Sequence, residues 1–406
     1  MNRRDLLQSS AAAAAVIALP ACASLPGAAM PASVAPTAPV ARKDPKRIEQ
    51  LGRVRVDEYH WMKDDNWQKV MTDPTVLRAD IRAHLEAENA YTKAMMAPTD
   101  ALQTELFEEM KGRIKEDDSS VPDPDGAFEY YTRFEKGAQH PIHARKPRGS
   151  TGPETILIDV DAMAKGKDYF QVSAAQHSAD HKYYVYAADD QGSEVYKVYV
   201  RDLATGQDLP EPIEPVAYGS FAVSPDSGHV FWILRDDNGR PAKVMRRPIR
   251  GGKKDDVLVY EEPDDGFFLG VSVSEDDQFI VIGSGNQETS ESRIIPAATP
   301  GATPVLFQKR EVGVLYSATS WRGRWYIHTN ADNAVDFKVM TAEYGKTERS
   351  AWTEFLPHKP GHFVEGLAAF KNHLVRLERV NALPRIVIRD QAGNEHQIAQ
   401  EEEAYD

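Results

Sequence analysis

A chain of 406 residues, 41% of them hydrophobic, can bury a sizeable core and need not be one domain. Lysine and arginine number 48 against 62 aspartates and glutamates, a net charge of −14, which argues against a nucleic-acid or anionic-membrane surface and suits either basic ligands or plain solubility. The single cysteine, Cys22, excludes disulfides within the chain and leaves no cysteine metal site or thiol nucleophile beyond the leader.

Residues 1–23 read as an export signal. Asn2-Arg3-Arg4-Asp5-Leu6-Leu7-Gln8 resembles a twin-arginine motif, and the Ala-rich run from Ser9 to Leu19 is too short to span a bilayer. Two processing readings stay open. Cleavage at Ala21-Cys22-Ala23 would release the chain into the periplasm, whereas Leu19-Pro20-Ala21-Cys22 looks like a lipoprotein box that would acylate Cys22 and tie the chain to the cell envelope. Residues 24–44, rich in Pro and Ala, are expected to be a flexible linker.

Residues 45–117 are expected to form a helical N-terminal extension. Asp73-Pro74 opens a run to Met96 with Val76, Ile81, Leu85, Ala90 and Met95 at helix-like intervals, which predicts one long helix. Pro98-Thr99-Asp100 starts a second, with Leu102, Leu106, Met110 and Ile114 along one stripe.

From residue 118 to 406 the pattern changes to short strands. A first group fits between Val121 and Met163, with strands at Phe128 to Phe134, Ile142 to Lys146 and Thr155 to Val160. A polar turn followed by an apolar strand then recurs five times, anchored at Ser178, Ser224, Ser274, Ser320 and Phe370, at intervals of 46 to 50 residues. Another strand-like run follows each anchor 15 to 18 residues later, beginning at Val195, Ala242, Ser292, Phe337 and Arg385. This is the period of four-stranded propeller blades, so the fold class expected is mainly β: about six blades behind a helical extension. The tail after Gln397-Ile398-Ala399 reads as the approach to a further blade. Either six blades close a ring or, the preferred reading, the chain is part of something larger and poorly soluble alone, because an open row of sheets leaves its end faces bare.

No catalytic residue is legible. A hydrolase nucleophile elbow needs Gly at both −2 and +2 of a serine, and none has it; Gly270-Val271-Ser272 fails at Ser274. His140-Pro141-Ile142-His143 lacks the company of a metal motif and reads as strand, and His60 beside Trp61 reads as packing. Paired acids such as Asp189-Asp190, Asp236-Asp237 and Glu261-Glu262 fall at turns, where solvated carboxylates and Asx turns are the default. Gly251-Gly252-Lys253-Lys254 lacks phosphate-loop spacing and reads as a hairpin turn, so neither cofactor nor metal is implied.

Four stretches carry a resemblance: Arg55-Val56-Asp57-Glu58-Tyr59-His60-Trp61-Met62-Lys63-Asp64-Asp65, Glu108 to Ile114 leading to Val121-Pro122, Phe128 to Arg133, and Leu258 to Asp265. Together, and in order, they resemble the prolyl oligopeptidase family of serine peptidases, and are most similar to its oligopeptidase B branch. That resemblance implies a seven-bladed propeller capping an α/β-hydrolase domain that supplies the Ser, Asp and His of the triad and most acidic residues that read a basic side chain. No position here matches them. The expectation is therefore the N-terminal and propeller part of an exported peptidase whose parent cleaves short peptides after Lys or Arg, with the propeller excluding folded proteins. Its partners would be short basic peptides and the missing hydrolase domain, with no nucleic acid, and with membrane contact only through an acylated Cys22. Cleavage after Pro is the less favoured specificity. A free-standing periplasmic propeller that binds a peptide or protein is the alternative from another class.

Overall fold

The computed structural model describes residues 36–405 and divides into two compact units, one ending at Arg113 and one beginning at Ile114. The export signal and Cys22 lie outside the described residues.

The first unit opens with a hairpin that the sequence reading passed over, β1 (Lys46–Gln50) paired antiparallel with β2 (Arg53–Asp57). Leu51 and Gly52 turn it with φ of 53° and 69°, the left-handed pair whose twist matches that of the strands. A 3-10 turn at His60–Met62, helix α1 (Trp67–Thr72), a second 3-10 turn at Pro74–Val76, and helices α2 (Ala79–Met96) and α3 (Asp100–Gly112) follow. The single helix expected from Asp73 to Met96 is therefore corrected. Asp73 caps only the short turn, accepting from the Thr75 amide at 3.0 Å, and the chain extends at Leu77 and Arg78 before α2 begins. Asp64 holds that break, because its carboxylate accepts from the Arg78 amide at 3.0 Å and the Asn66 amide at 2.9 Å. Those two donors, Arg78 first, hold its carboxyl below the usual range. Trp61 is anchored beside it, its indole N–H donating to the Arg42 carbonyl at 2.8 Å under the Arg42 guanidinium. Among the described residues of this unit only Trp61, Asp64 and Ile81 are buried. The expected α3 stripe is present but uncovered: Leu102, Leu106 and Met110 are all exposed, as is Phe107.

Among the described residues, the second unit forms six antiparallel meanders of four strands. Blade 1 runs from Asp123 to Asp159, blade 2 from Gln171 to Asp208, blade 3 from Phe221 to Glu261, blade 4 from Phe268 to Gln308, blade 5 from Tyr316 to Leu356 and blade 6 from His362 to Gln397. Blade 2 carries an extra strand, Ile213–Ala217, paired off its main path. The predicted strand pairs after all five anchors are present, and most are longer than predicted. One boundary moves: Val160 begins a short helix α4 (Val160–Ala164) rather than ending a strand, because Asp159 turns its carboxylate onto the Ala162 amide at 2.9 Å.

The five core clusters are the five contacts between successive blades. Leu157 and Ile158 of blade 1 meet Tyr184 and Tyr186 of blade 2. Val198 and Val200 meet Val230 and Trp232 of blade 3, and Phe231 and Ile233 meet Ile280 and Ile282 of blade 4. Phe307 meets Trp325 of blade 5, and Val339 meets Leu374 of blade 6. A blade buries both faces only between neighbours, which is the physics of a propeller and fixes which strand residues must be apolar.

The repeated turn has a repeated mechanism. Ser178, Ser224 and Ser274 accept, on their hydroxyls, the amide five residues on (Tyr183, His229, Phe279) at 3.0, 2.9 and 3.0 Å, and donate to the aspartate two residues on (Asp180, Asp226, Asp276). The fourth residue of each turn, His181, Ser227 or Asp277, sits left-handed at φ near 57–58°. Blade 5 departs, turning through Arg322 and Gly323 at φ 53° and 79° while its Ser320 hydroxyl reaches across to Asp276.

Candidate functional site

The first strands of blades 2 and 4 leave alternate positions open, as period 2 allows. Gln171 and Ser173 are exposed on blade 2, Phe268, Gly270 and Ser272 on blade 4, and Ser317 on blade 5. A groove of about 690 Å³ runs along Phe268, Gly270, Ser272, Ser317 and Thr319. Small side chains dominate its wall, with Glu275 and Glu291 as its charged members.

The turns close one end of these strands and bring acids with them. Glu275 of blade 4 accepts from the Ala369 amide of blade 6, and Asp277 of the same turn lies within electrostatic reach of Asp125 of blade 1. Turns of blades that are not neighbours thus converge. Burial, then Asp125 and Asp276, pushes the Asp277 carboxyl up; burial also raises Glu275, against the Ala369 bond. With Asp180 and Asp226 in the matching turns, this end of the unit concentrates negative charge.

Glu262, expected as a solvated turn carboxylate, is instead buried. It accepts from the Ser284 hydroxyl at 2.5 Å, the Arg310 guanidinium at 2.6 Å and the Asp264 amide at 3.0 Å. Arg310 also reaches Glu291 at 3.2 Å, and Arg293 meets Glu291 at 2.7 Å. Burial opposes the Glu262 charge, but Arg310, Ser284 and the amide outweigh it and bring the carboxyl down to about 2. The network ties the blade 3–4 link to the outer edge of blade 4, which makes it structural. Asp189 is likewise buried, accepting amides from Gln191, Gly192 and Glu194.

His143 lies on its predicted strand, with its ring on the Tyr184 hydroxyl at 2.7 Å across the blade 1–2 contact, and burial pushes it down. His60 is partly exposed and meets the Lys46 ammonium at 2.6 Å, so the packing role passes to Trp61 alone. The ring nitrogens of bonded histidines meet Lys46, Tyr130, Tyr184, backbone carbonyls and the Asp336 amide; among the described residues no serine hydroxyl takes such a bond. No nucleophile–base pair is assembled there. One grouping escaped the sequence reading altogether: Asp125, His177 and His181, 52 and 56 residues apart from the aspartate in sequence, come together where blades 1 and 2 meet. No local motif could have announced it.

A row of four-stranded antiparallel blades packed face to face defines a β-propeller domain. Residues 39–406 match the family described as prolyl oligopeptidase, N-terminal beta-propeller domain, and the chain belongs to that family. It is 35% identical to dipeptidyl aminopeptidase BI of Pseudoxanthomonas mexicana, over 97% of this chain and 54% of that protein, and 29% identical to protease 2 of Moraxella lacunata, over 90% and 52%. The structure of oligopeptidase B from Leishmania major superimposes with a TM-score of 0.82 at 27% identity, covering 90% of this chain and 54% of that one. The chain spans about half the length of the curated relatives it matches.

Proposed function

We propose that this chain is the substrate-admitting propeller of an exported serine oligopeptidase whose parent activity is hydrolysis of short peptides after Lys or Arg. The observation that carries the reading is the family match over residues 39–406, in a chain whose described residues assemble no nucleophile–base pair. A channel of small, mostly uncharged side chains passes an extended peptide and excludes a folded one, and acids at the turns favour a basic peptide over an acidic one by charge alone. Chemistry would then come from an α/β-hydrolase partner, whose contact surface would include the exposed apolar α3 residues Leu102, Leu106 and Met110. Residues 1–23 would send the protein to the periplasm or envelope, with Cys22 as a candidate lipid anchor.

A second reading concerns the cut. The relative named dipeptidyl aminopeptidase, at 35% identity, favours removal of N-terminal dipeptides rather than internal cleavage. Both readings are tested together. If the reading frame past Asp406 encodes the rest of a seventh blade and a G-x-S-x-G stretch, the complete protein should hydrolyse a fluorogenic blocked Arg-Arg peptide, sensitive to a serine inhibitor, and spare a folded protein. Turnover of unblocked dipeptidyl substrates alone selects the second reading. Cleavage of the folded protein defeats the gate, and a stop followed by an unrelated gene favours a free-standing propeller that binds a peptide or protein.

A further inference from the structure

Asp125 ends the first strand of blade 1, His177 ends the first strand of blade 2, and His181 occupies the left-handed position of the turn that follows. One donor atom from each lies within 4.8 Å of the other two, and His177 Nε2 is 3.3 Å from Asp125 Oδ2. From this geometry we infer that Asp125, His177 and His181 bind a divalent transition-metal ion, zinc being the best match to the donors.

The far side of each ring is already engaged by a neighbouring group. His177 Nδ1 meets the Ser178 carbonyl at 3.0 Å; since a carbonyl only accepts, that nitrogen carries the proton and Nε2 keeps its lone pair, aimed at Asp125. His181 Nδ1 lies 2.8 Å from the Tyr130 hydroxyl, and in the tautomer in which that hydroxyl accepts, Nε2 is left for a ligand. Both rings are held before any ion arrives. Tyr130 stacks on His177 with centroids 3.9 Å apart and planes 17° apart, and Arg145 donates to the His181 carbonyl at 2.8 Å while its guanidinium lies over Phe128.

Backbone supplies the room. A Cβ at Gly126 would lie 2.5 Å from His181 Nε2, so only glycine lets that nitrogen come down beside Asp125. Two neutral imidazoles and one carboxylate form a borderline donor set, which selects zinc and its transition-metal neighbours over magnesium or calcium. Three protein ligands leave a coordination position open. Asp125 is exposed and both histidines are partly buried, so an ion can enter from solvent. Binding would cross-link blade 1 to blade 2 at the end of the strands where Glu275 and Asp277 gather.

The test is titration of the full chain with zinc chloride alone, read by calorimetry and by thermal melting. One ion per chain is expected, with a melting temperature that climbs with zinc concentration. His177→Gln and His181→Gln should each weaken binding at least about tenfold, and Tyr130→Phe by a smaller factor through the second coordination shell. Should a variant not fold, diethyl pyrocarbonate modification of the natural chain decides: zinc should protect His177 and His181 and leave the extent of modification at the other histidines unchanged. Absence of zinc binding at millimolar concentration, unchanged affinity in a folded variant, or protection that falls on other histidines would each overturn the site.

Discussion

The two units of this chain solve the burial problem in opposite ways. Every contact between successive blades has its own cluster of buried aromatic and branched side chains, while on blade 6 Leu377 and Ile386 stay exposed. The N-terminal unit has well-formed helices yet buries only Trp61, Asp64 and Ile81 among its described residues, and leaves the apolar face of α3 open. Helices of 18 and 13 residues draw little on buried contacts here, whereas the blades draw on one another.

That contrast can be broken by substitution. Trp325 is fully buried between blades 4 and 5, against Phe279, Phe307 and Tyr344. Trp325→Ala should cost about 3–5 kcal/mol in urea unfolding followed by tryptophan fluorescence and circular dichroism; a loss below about 1 kcal/mol would mean that the inter-blade clusters do not carry the fold. Next in size is Glu262→Gln, which leaves Arg310 to Glu291 alone and should cost about 2 kcal/mol at pH 7. Its pH dependence is a sharper test. The Glu262 carboxyl titrates at about 2 in the folded chain against 4.5 ordinarily, so its contribution is whole above about pH 4.5 and is lost as pH falls toward 2. The gap between the natural chain and Glu262→Gln should therefore close over that window, followed by melting at each pH.

Smaller effects sharpen the comparison further. Ser224→Ala removes the hydroxyl that accepts the His229 amide and should cost about 1 kcal/mol, measurable as a shift in the unfolding midpoint. Leu106→Gln on the open face of α3 should move the stability of the chain alone by no more than about 0.5 kcal/mol. In a complete protein whose hydrolase domain covers that face, the same change should cost more; equal cost in both would remove α3 from the partner surface.

Most of the blade architecture was legible because it rests on local rules. A Ser-x-Asp turn writes its hydrogen bonds into three adjacent letters, and alternation writes out the strands, so anchors at Ser178, Ser224 and Ser274 located three blades from sequence. Blade 5 was found by its period although its turn works differently, through Arg322 and Gly323. The β1–β2 hairpin was within reach, since Val54 and Val56 alternate beside Leu51-Gly52, but helix-like spacing further on drew the unit toward an all-helical reading. Long-range meetings were out of reach. Glu262 looks like any acid at a turn until Arg310, 48 residues on, is folded against it, and Asp125, His177 and His181 share no spacing rule.

The most direct test of the central claim, that these residues supply a passage and no nucleophile, is labelling of the purified 406-residue chain with a fluorophosphonate that marks activated serines. The expected result is no labelling under native conditions, with a known serine peptidase labelled in parallel as the positive comparison. A serine within these residues that is labelled natively, and not after unfolding, would contradict it.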